Sequence, residues 1–175
     1  MKNEIIVFGG GCFWCTEAVF EMFKGVSSTT PGYAGGNVTN PTYDDVCVGN
    51  TGHAEVLQIE YDPKIIEFDT LLEVFFTMHD PTTLNRQGAD SGTQYRSIIL
   101  YTAEEQKTLS EKFIKNIQKD YSKPIVTEVK KLDKFYPAEQ YHMKYYDKNP
   151  DAGYCSIVIG PKVQKVKKKF AELLK

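Results

Sequence analysis

The sequence has one tryptophan, three histidines and four cysteines in 175 residues. Each shortage excludes something. A small secreted domain held by disulfides is shorter and denser in cysteine. His53, His79 and His142 are scattered, and Cys47 and Cys155 stand 108 positions apart. A structural zinc site needs a second Cys or Cys/His pair at short spacing, so no metal is expected. No apolar run approaches the roughly 18 residues of a membrane span. After Met1-Lys2-Asn3-Glu4 only Ile5 to Phe8 are apolar. A secretory leader needs about 7–15, so a cytoplasmic protein is expected. Neither sign of charge dominates, with 21 Lys and Arg against 23 Asp and Glu. Such a chain has no global field to draw it to nucleic acid or a membrane. Gly9-Gly10-Gly11 lacks the G-x-G-x-x-G spacing of a dinucleotide loop, which leaves a nicotinamide or flavin site without support.

What is present describes a folded chain. Hydrophobic residues make up 41% and charged residues 25%, which excludes disorder. A chain this long buries roughly 70% of its unfolded surface without staples. With no repeats and no long linker, residues 1–175 are expected to form one domain.

Hydrophobic patterning predicts the elements. Glu4 to Phe8 reads as a buried strand stopped by three glycines, and Val19, Phe20, Phe23 and Val26 then repeat at helical spacing. Cys12 therefore falls near a helix start. Residues 27–53 read as loop, His53 to Tyr61 as a strand, and 69–78 as a buried helix ended by His79-Asp80-Pro81. Residues 82–94 form a second polar loop, and Tyr95 to Tyr101 a strand. Thr102 and Glu105 read as a capping box opening a helix to about Tyr121. Ile125 to Val129 reads as another strand, residues 133–155 as irregular, and 161–175 as a terminal helix. That last segment carries six Lys and one Glu. Val163, Val166, Phe170 and Leu173 form its apolar stripe, with the lysines as its solvated face.

Chemistry concentrates at four places. A thiol at a helix N-terminus meets the positive end of the dipole and free N–H groups, which favour thiolate. Cys12 has that position, and the glycines before it allow a turn that exposes sulfur. Its alternative is an inert buried thiol. Phe13 and Trp14 could wall a methyl or thioether group, or simply pack in the core. Cys12-x-x-Cys15 also matches a dithiol redox motif. Glu55 stands where loop becomes strand. In a dry pocket its pKa would rise and it could serve as a general acid; on a solvated face it would do nothing. His53 beside it is the alternative acid/base. Tyr43 ends the first polar loop, and Asp90 and Tyr95 bracket the second; together they could cage a polar oxygen.

The set of motifs resembles a known family. Gly11-Cys12-Phe13-Trp14-x-x-Glu17, Pro41-Thr42-Tyr43, Gly52-His53-Ala54-Glu55, His79-Asp80-Pro81-Thr82-Thr83, Asn85-Arg86-Gln87-Gly88, Gly92-Thr93-Gln94-Tyr95-Arg96-Ser97 and Pro137-Ala138-Glu139-x-x-His142 look like the class A peptide methionine sulfoxide reductases. They occur in that family's order over about residues 4 to 160. The resemblance implies an α+β fold: a two-layer sandwich with a mainly antiparallel mixed sheet, flanking helices and long irregular segments. It implies reduction of the S epimer of methionine sulfoxide, free or in oxidised proteins, consistent with one enzyme per epimer. Cys12 would be the nucleophile and Glu55 the acid that protonates the oxygen. Tyr43, Asp90 and Tyr95 would complete the oxygen-binding network. Phe13 and Trp14 would hold the S-methyl group, with His53 on the substrate side. No tightly bound cofactor is implied. An external thiol reductant is: thioredoxin, glutaredoxin with glutathione, or dithiothreitol in vitro.

Three departures bear on recycling. Cys15 stands where many members have Gly, and Ala89 where Asn is common. After Gly153-Tyr154-Cys155 there is no Gly-rich tail with a further Cys. Cys155, Cys15 and Cys47 are all candidate resolving thiols, ranked with Cys155 first and a direct external thiol close behind. Some members carry selenocysteine at the position of Cys12. Two other functions compete: a Cys12/Cys15 thiol–disulfide oxidoreductase, and an aromatic-lined module that binds thioethers without turnover.

Overall fold

The computed structural model describes residues 2–175. Met1, the first residue of the segment weighed above as a leader, lies outside them. The strands are β1 (Glu4–Gly9), β2 (Val26–Ala34), β3 (Ala54–Tyr61), β4 (Arg86–Gln87), β5 (Asp90–Ser91), β6 (Ile98–Tyr101), β7 (Glu128–Lys131) and β8 (Phe135–Pro137). The helices are α1 (Phe13–Phe20), α2 (Tyr43–Val48), α3 (Phe68–Met78), α4 (Glu104–Ile117), α5 (Tyr145–Lys148) and α6 (Gly160–Lys169).

Six strands form one sheet in the order β7-β6-β1-β3-β2-β8. β1 lies between β3 and β6, antiparallel to both, and β2 is antiparallel to β3 and β8. β6 and β7 are parallel. This is the mainly antiparallel mixed sheet of an α+β fold. β4 and β5 form a separate hairpin.

Side chains alternate across a strand, so the two faces of β1 separate by residue. Ile6 and Phe8 point into a large core with Leu57 and Ile59 of β3, Val19 and Phe20 of α1, Leu72 and Phe75 of α3, and Val166 of α6. Phe8 stacks on Phe75 at 4.6 Å. Val7 faces the other way, into a smaller cluster of Ala34, Ala54, Val56, Ile98 and Leu100. Leu132 and Phe135 cover that cluster. Both faces of β1 and β3 are thus dry where they meet the glycine turn. Among the described residues no helix is long and apolar enough to cross a membrane.

Several expectations need correction. Residues 27–53 are not a loop: they hold β2 and α2. The polar first half of β2, Ser27-Ser28-Thr29-Thr30, hides the strand, which forms because it pairs with β3 from Ser28↔Glu60 to Ala34↔Ala54. The capping box shifts by one residue. Gln106, not Glu105, accepts from the N–H of Thr102 at 2.9 Å, while the Thr102 hydroxyl bonds Ile5 O. β6 starts at Ile98, because Gly92 to Arg96 turn through a 3₁₀ segment, with Tyr95 N–H bonded to Gly92 O. β7 starts at Glu128, because Ile125 and Val126 give their N–H groups to Gln118 and Pro81 instead of a sheet. Residues 155–159 are a π-helical turn leading into α6. Val163, Val166 and Phe170 are buried as the stripe requires, but Leu173 is 40% exposed.

Candidate active site

The glycine turn brings the end of β1 against β3. A Cβ on Gly9 would lie 2.8 Å from Ile98 Cγ2 and 3.0 Å from Glu55 O. Gly11 has φ +100°, a conformation that favours glycine, and a Cβ there would meet Gln87 at 2.8 Å. The chain then enters α1 with Cys12 as its N-cap, at φ −64° and ψ 128°. Cys12 makes no side-chain cap bond, so its sulfur stays free to face the cleft.

The first orphan N–H groups of a helix need partners. Glu55 on β3 supplies one: Phe13 N–H donates to Glu55 Oε2 at 3.1 Å. Glu55 is 1% exposed. Burial pushes its carboxyl up to about 8, the Phe13 N–H pulls it partly back, and Asp90 and Cys15 push it further up. The carboxyl therefore holds its proton at neutral pH. A solvated strand carboxylate would not.

Six further side chains close a cavity of about 190 Å³ around Cys12 and Glu55: Phe13, Trp14, Tyr43, Asp90, Tyr95 and Tyr154. α2 presents Tyr43 at its first turn, held by the Thr42–Asp45 capping box and by Tyr43 N–H donating to Glu139 at 3.0 Å. β5 presents Asp90, whose Oδ2 accepts from Tyr154 O–H at 2.6 Å. The 3₁₀ turn presents Tyr95. Burial raises the pKa of Tyr43, Tyr95 and Tyr154, so all three phenols stay protonated and can donate. The loops carrying Tyr43, Asp90 and Tyr95 thus converge on the thiol.

The aromatic wall is built from distant parts of the chain. Trp14 stacks flat on Tyr145, with centroids 3.7 Å apart and planes 6° from parallel. Its Nε1–H donates to His142 Nδ1 at 3.0 Å. The indole has no acceptor nitrogen, so His142 Nδ1 is unprotonated and the proton sits on Nε2, which is buried without a partner. Burial also lowers the His142 pKa, in keeping with the neutral ring. Phe13 is 1% exposed and packs between Tyr33 and His142.

His53 does not join this group. Its Nδ1 accepts from Gly36 N–H at 3.0 Å, its Nε2 lies 2.7 Å from Val38 O, and its ring meets Tyr136 edge-on. Both nitrogens hold the Gly35–Val38 loop, which removes His53 as a substrate-side or acid/base group. Tyr154, His142, Tyr145 and Glu139 are parts of the site that sequence reasoning gave no role. The one signal for Tyr154 was its place beside Cys155.

The thiols depart from expectation too. Burial pushes Cys12 well above the usual thiol range, helped by the neighbouring Cys15 thiol and by Glu55. Burial thus opposes the thiolate that the helix N-terminus favours at Cys12. Cys15 moves the other way, lowered by the neighbouring Cys12 thiol against its own burial and by Lys162. Cys155 is completely buried, while Cys47 is exposed on α2. All four cysteines are free.

A family model described as "Peptide methionine sulfoxide reductase" matches residues 4–174. The chain belongs to the class A peptide methionine sulfoxide reductases, which are oxidoreductases. A Saccharolobus solfataricus relative named "Peptide methionine sulfoxide reductase MsrA" is 56% identical over 98% of this chain and 97% of its own. One of the same name from Haloquadratum walsbyi is 54% identical over 98% and 99%. Among solved structures, Mxr1 from Saccharomyces cerevisiae in reduced form superposes with a TM-score of 0.82 at 36% identity, over 88% of this chain and 90% of that one. Methionine sulfoxide reductase A of Corynebacterium diphtheriae gives 0.78 at 36% identity, over 89% and 78%.

Proposed function

We propose that residues 1–175 act as one catalytic domain that reduces the S epimer of methionine sulfoxide, free and in oxidised proteins, through Cys12 and Glu55. One observation carries this reading: a buried carboxyl, held neutral up to about pH 8, is tied to the first N–H after the cleft thiol. A sulfoxide oxygen leaves poorly as an anion, so attack on sulfur needs a proton delivered to oxygen. Glu55 holds that proton beside the nucleophile.

In the proposed reaction the S-methyl group lies on Phe13 and Trp14. The oxygen points to Glu55, with Tyr43, Tyr95 and the Asp90–Tyr154 pair around it. Cys12 sulfur gives two electrons to the sulfoxide sulfur while Glu55 protonates the oxygen. Methionine leaves, and Cys12 keeps the oxygen as sulfenic acid. The proton from Glu55 stays on the oxygen as the sulfenic hydroxyl, and the Cys12 thiol proton passes to Glu55, which ends neutral as it began.

We assign the resolving thiol to Cys15 ahead of Cys155 and Cys47. Cys15 N–H donates to Cys12 O at 3.1 Å, closing a four-residue turn, and the neighbouring Cys12 thiol is the chief cause that lowers the Cys15 pKa. A closed turn keeps the end Cα atoms under about 7 Å, a separation a disulfide spans at its usual 4.4–6.8 Å. Cys155 is sealed in the core, and Cys47 lies across the cleft beside Tyr43. Cys15 sulfur attacks Cys12 sulfur, the S–O bond breaks, and the hydroxide leaves as water with a proton from solvent. A thioredoxin-type dithiol then reduces the Cys12–Cys15 bond; Mxr1 has been solved in complex with Trx2. Four free thiols suit a reducing compartment, and we place the protein in the cytoplasm.

The one-turn spacing of Cys12 and Cys15 also favours the dithiol oxidoreductase, which would leave Glu55 without work. A single turnover without reductant separates the two. Reduced protein is mixed with excess S or R sulfoxide, and methionine formed and thiols lost are counted. One methionine per chain from the S epimer only, abolished in Cys12→Ser, supports the reductase. Two thiols lost, falling to one in Cys15→Ser, support Cys15. No methionine from either epimer, with reduction of insulin disulfides, overturns the reading.

A further inference from the structure

Cys15 is 0% exposed and lies among apolar side chains of α1, α3 and α6. A sulfur that must attack as thiolate cannot ionise there without a compensating charge. One reaches it from the first turn of α6: Lys162 Nζ lies 3.9 Å from Cys15 Sγ. The lysine stem lines the wall of a groove of about 670 Å³ beside Phe76, Met78 and His79. It thus passes from an open surface to a sealed thiol, burying its methylenes on the way. The other lysines of that helix do different things. Lys165 Nζ bonds Thr77 O, and Lys169 pairs with Glu73.

We propose that Lys162 is the positioning residue of the resolving step, holding Cys15 as the nucleophile that closes the disulfide on the Cys12 sulfenic acid. This inference rests on the assignment of Cys15 above. The environment of Cys15 is otherwise mixed. The neighbouring Cys12 thiol and Tyr154, whose hydroxyl is given to Asp90 at 2.6 Å, favour the anion, while burial and Asp90 across the cleft oppose it. Cys155, from the π-helical turn, and Glu55, from β3, also feel the Cys15 charge. Lys162 is the full positive charge in this set. The basic terminal segment, read from sequence as a solvated face, therefore has one member turned inward.

The test is a rapid-quench single turnover with the S epimer from pH 5.5 to 9, counting methionine, free thiols and sulfenic acid trapped by dimedone. An opposite charge at this range shifts a pKa by about 1–3 units. Each unit lost leaves about tenfold less thiolate near neutrality, partly offset by about threefold greater nucleophilicity of the more basic thiol. Lys162→Gln should therefore slow disulfide closure about threefold or more per unit, let sulfenic acid accumulate, and move the pH profile of closure upward by about one unit or more. Lys162→Arg, which keeps the charge, should restore both. In a Cys12→Ser background, thiolate absorbance of Cys15 against pH should show the same upward shift on Lys162→Gln; this reads the charge even where turnover is lost. A Lys162→Gln profile that superposes on the wild type, or slowing that Lys162→Arg does not rescue, overturns the proposal. Two thiols still lost in Cys15→Ser would instead overturn the assignment beneath it.

Discussion

The carboxyl of Glu55 accepts the N–H of Phe13 at 3.1 Å, so this carboxyl on β3 is fastened to the helix that begins at Cys12. The bond fixes one oxygen of the carboxyl and leaves the other for the cleft. Glu55→Gln keeps the shape and an acceptor oxygen for Phe13 but has no proton to give. General acids contribute about 10²–10⁴-fold. The methionine-forming step should slow by that order, while Cys12 is still alkylated by iodoacetamide. Unchanged single-turnover rates would show that Glu55 is not the acid.

The same carboxyl sets a pH dependence whose sign is fixed. Glu55 holds its proton up to about pH 8 when folded, against 4.5 for an exposed Glu. The folded protein therefore binds a proton that the unfolded chain has released between those values. Stability associated with this proton is fully present below about pH 4.5 and is lost as pH rises through about 8. For so buried a group the loss is of the order of a few kcal/mol. Glu17, raised to about 7 chiefly by burial, acts in the same direction. Thermal midpoints should fall from pH 5 to pH 8.5, and Glu55→Gln should flatten part of that fall. The methionine-forming step should also decline above pH 8 as the acid ionises.

Cys12, Glu55, Tyr43, Asp90 and Tyr95, which line one cavity, could be picked out from sequence because each sits in a compact local motif beside a turn. The glycine run and the helix pattern after it place Cys12 at an N-cap whatever the rest of the chain does. The supports of the site could not. His142 meets Trp14 across 128 positions, and Lys162 meets Cys15 across 147. Only tertiary packing makes those pairs, and nothing in their local sequence announces them. The same is true of β2, whose Ser and Thr residues form a strand only because β3 offers a ladder. The ionisation of Cys12 is hard to read from sequence for a related reason. The helix N-terminus is a local feature, whereas burial depends on how many distant segments cover the sulfur.

His142 should govern the position of Trp14. Its Nδ1 is the acceptor for the indole N–H, and its ring also packs on Phe13 and Tyr43. His142→Phe preserves packing but leaves that N–H without its partner, at a cost of about 1–3 kcal/mol. Where the cost falls on indole placement, KM for the sulfoxide should rise by about tenfold, with a smaller change in kcat. Trp14 is the only tryptophan, so protein fluorescence reports it alone. Its emission should shift in His142→Phe. An unshifted spectrum with an unchanged KM would mean that stacking on Tyr145 suffices to place the ring.

Cys155 and Cys15 are both buried, yet their replacement should have opposite signatures. Cys155 is 0% exposed in the large core, and burial raises its thiol pKa. A neutral thiol in that setting acts as a small hydrophobic group. Cys155→Ser sets a hydroxyl among apolar side chains, which costs about 1–3 kcal/mol when the hydroxyl finds no partner. The melting temperature should fall by several degrees, while single turnover still consumes two thiols per chain. Cys15→Ser should show the reverse: two thiols become one, and sulfenic acid persists. The contrast is informative because stability and recycling are then read on separate instruments. If Cys155→Ser abolished the second thiol loss instead, the core around the π-helical turn would have to open during each cycle to bring Cys155 to the cleft.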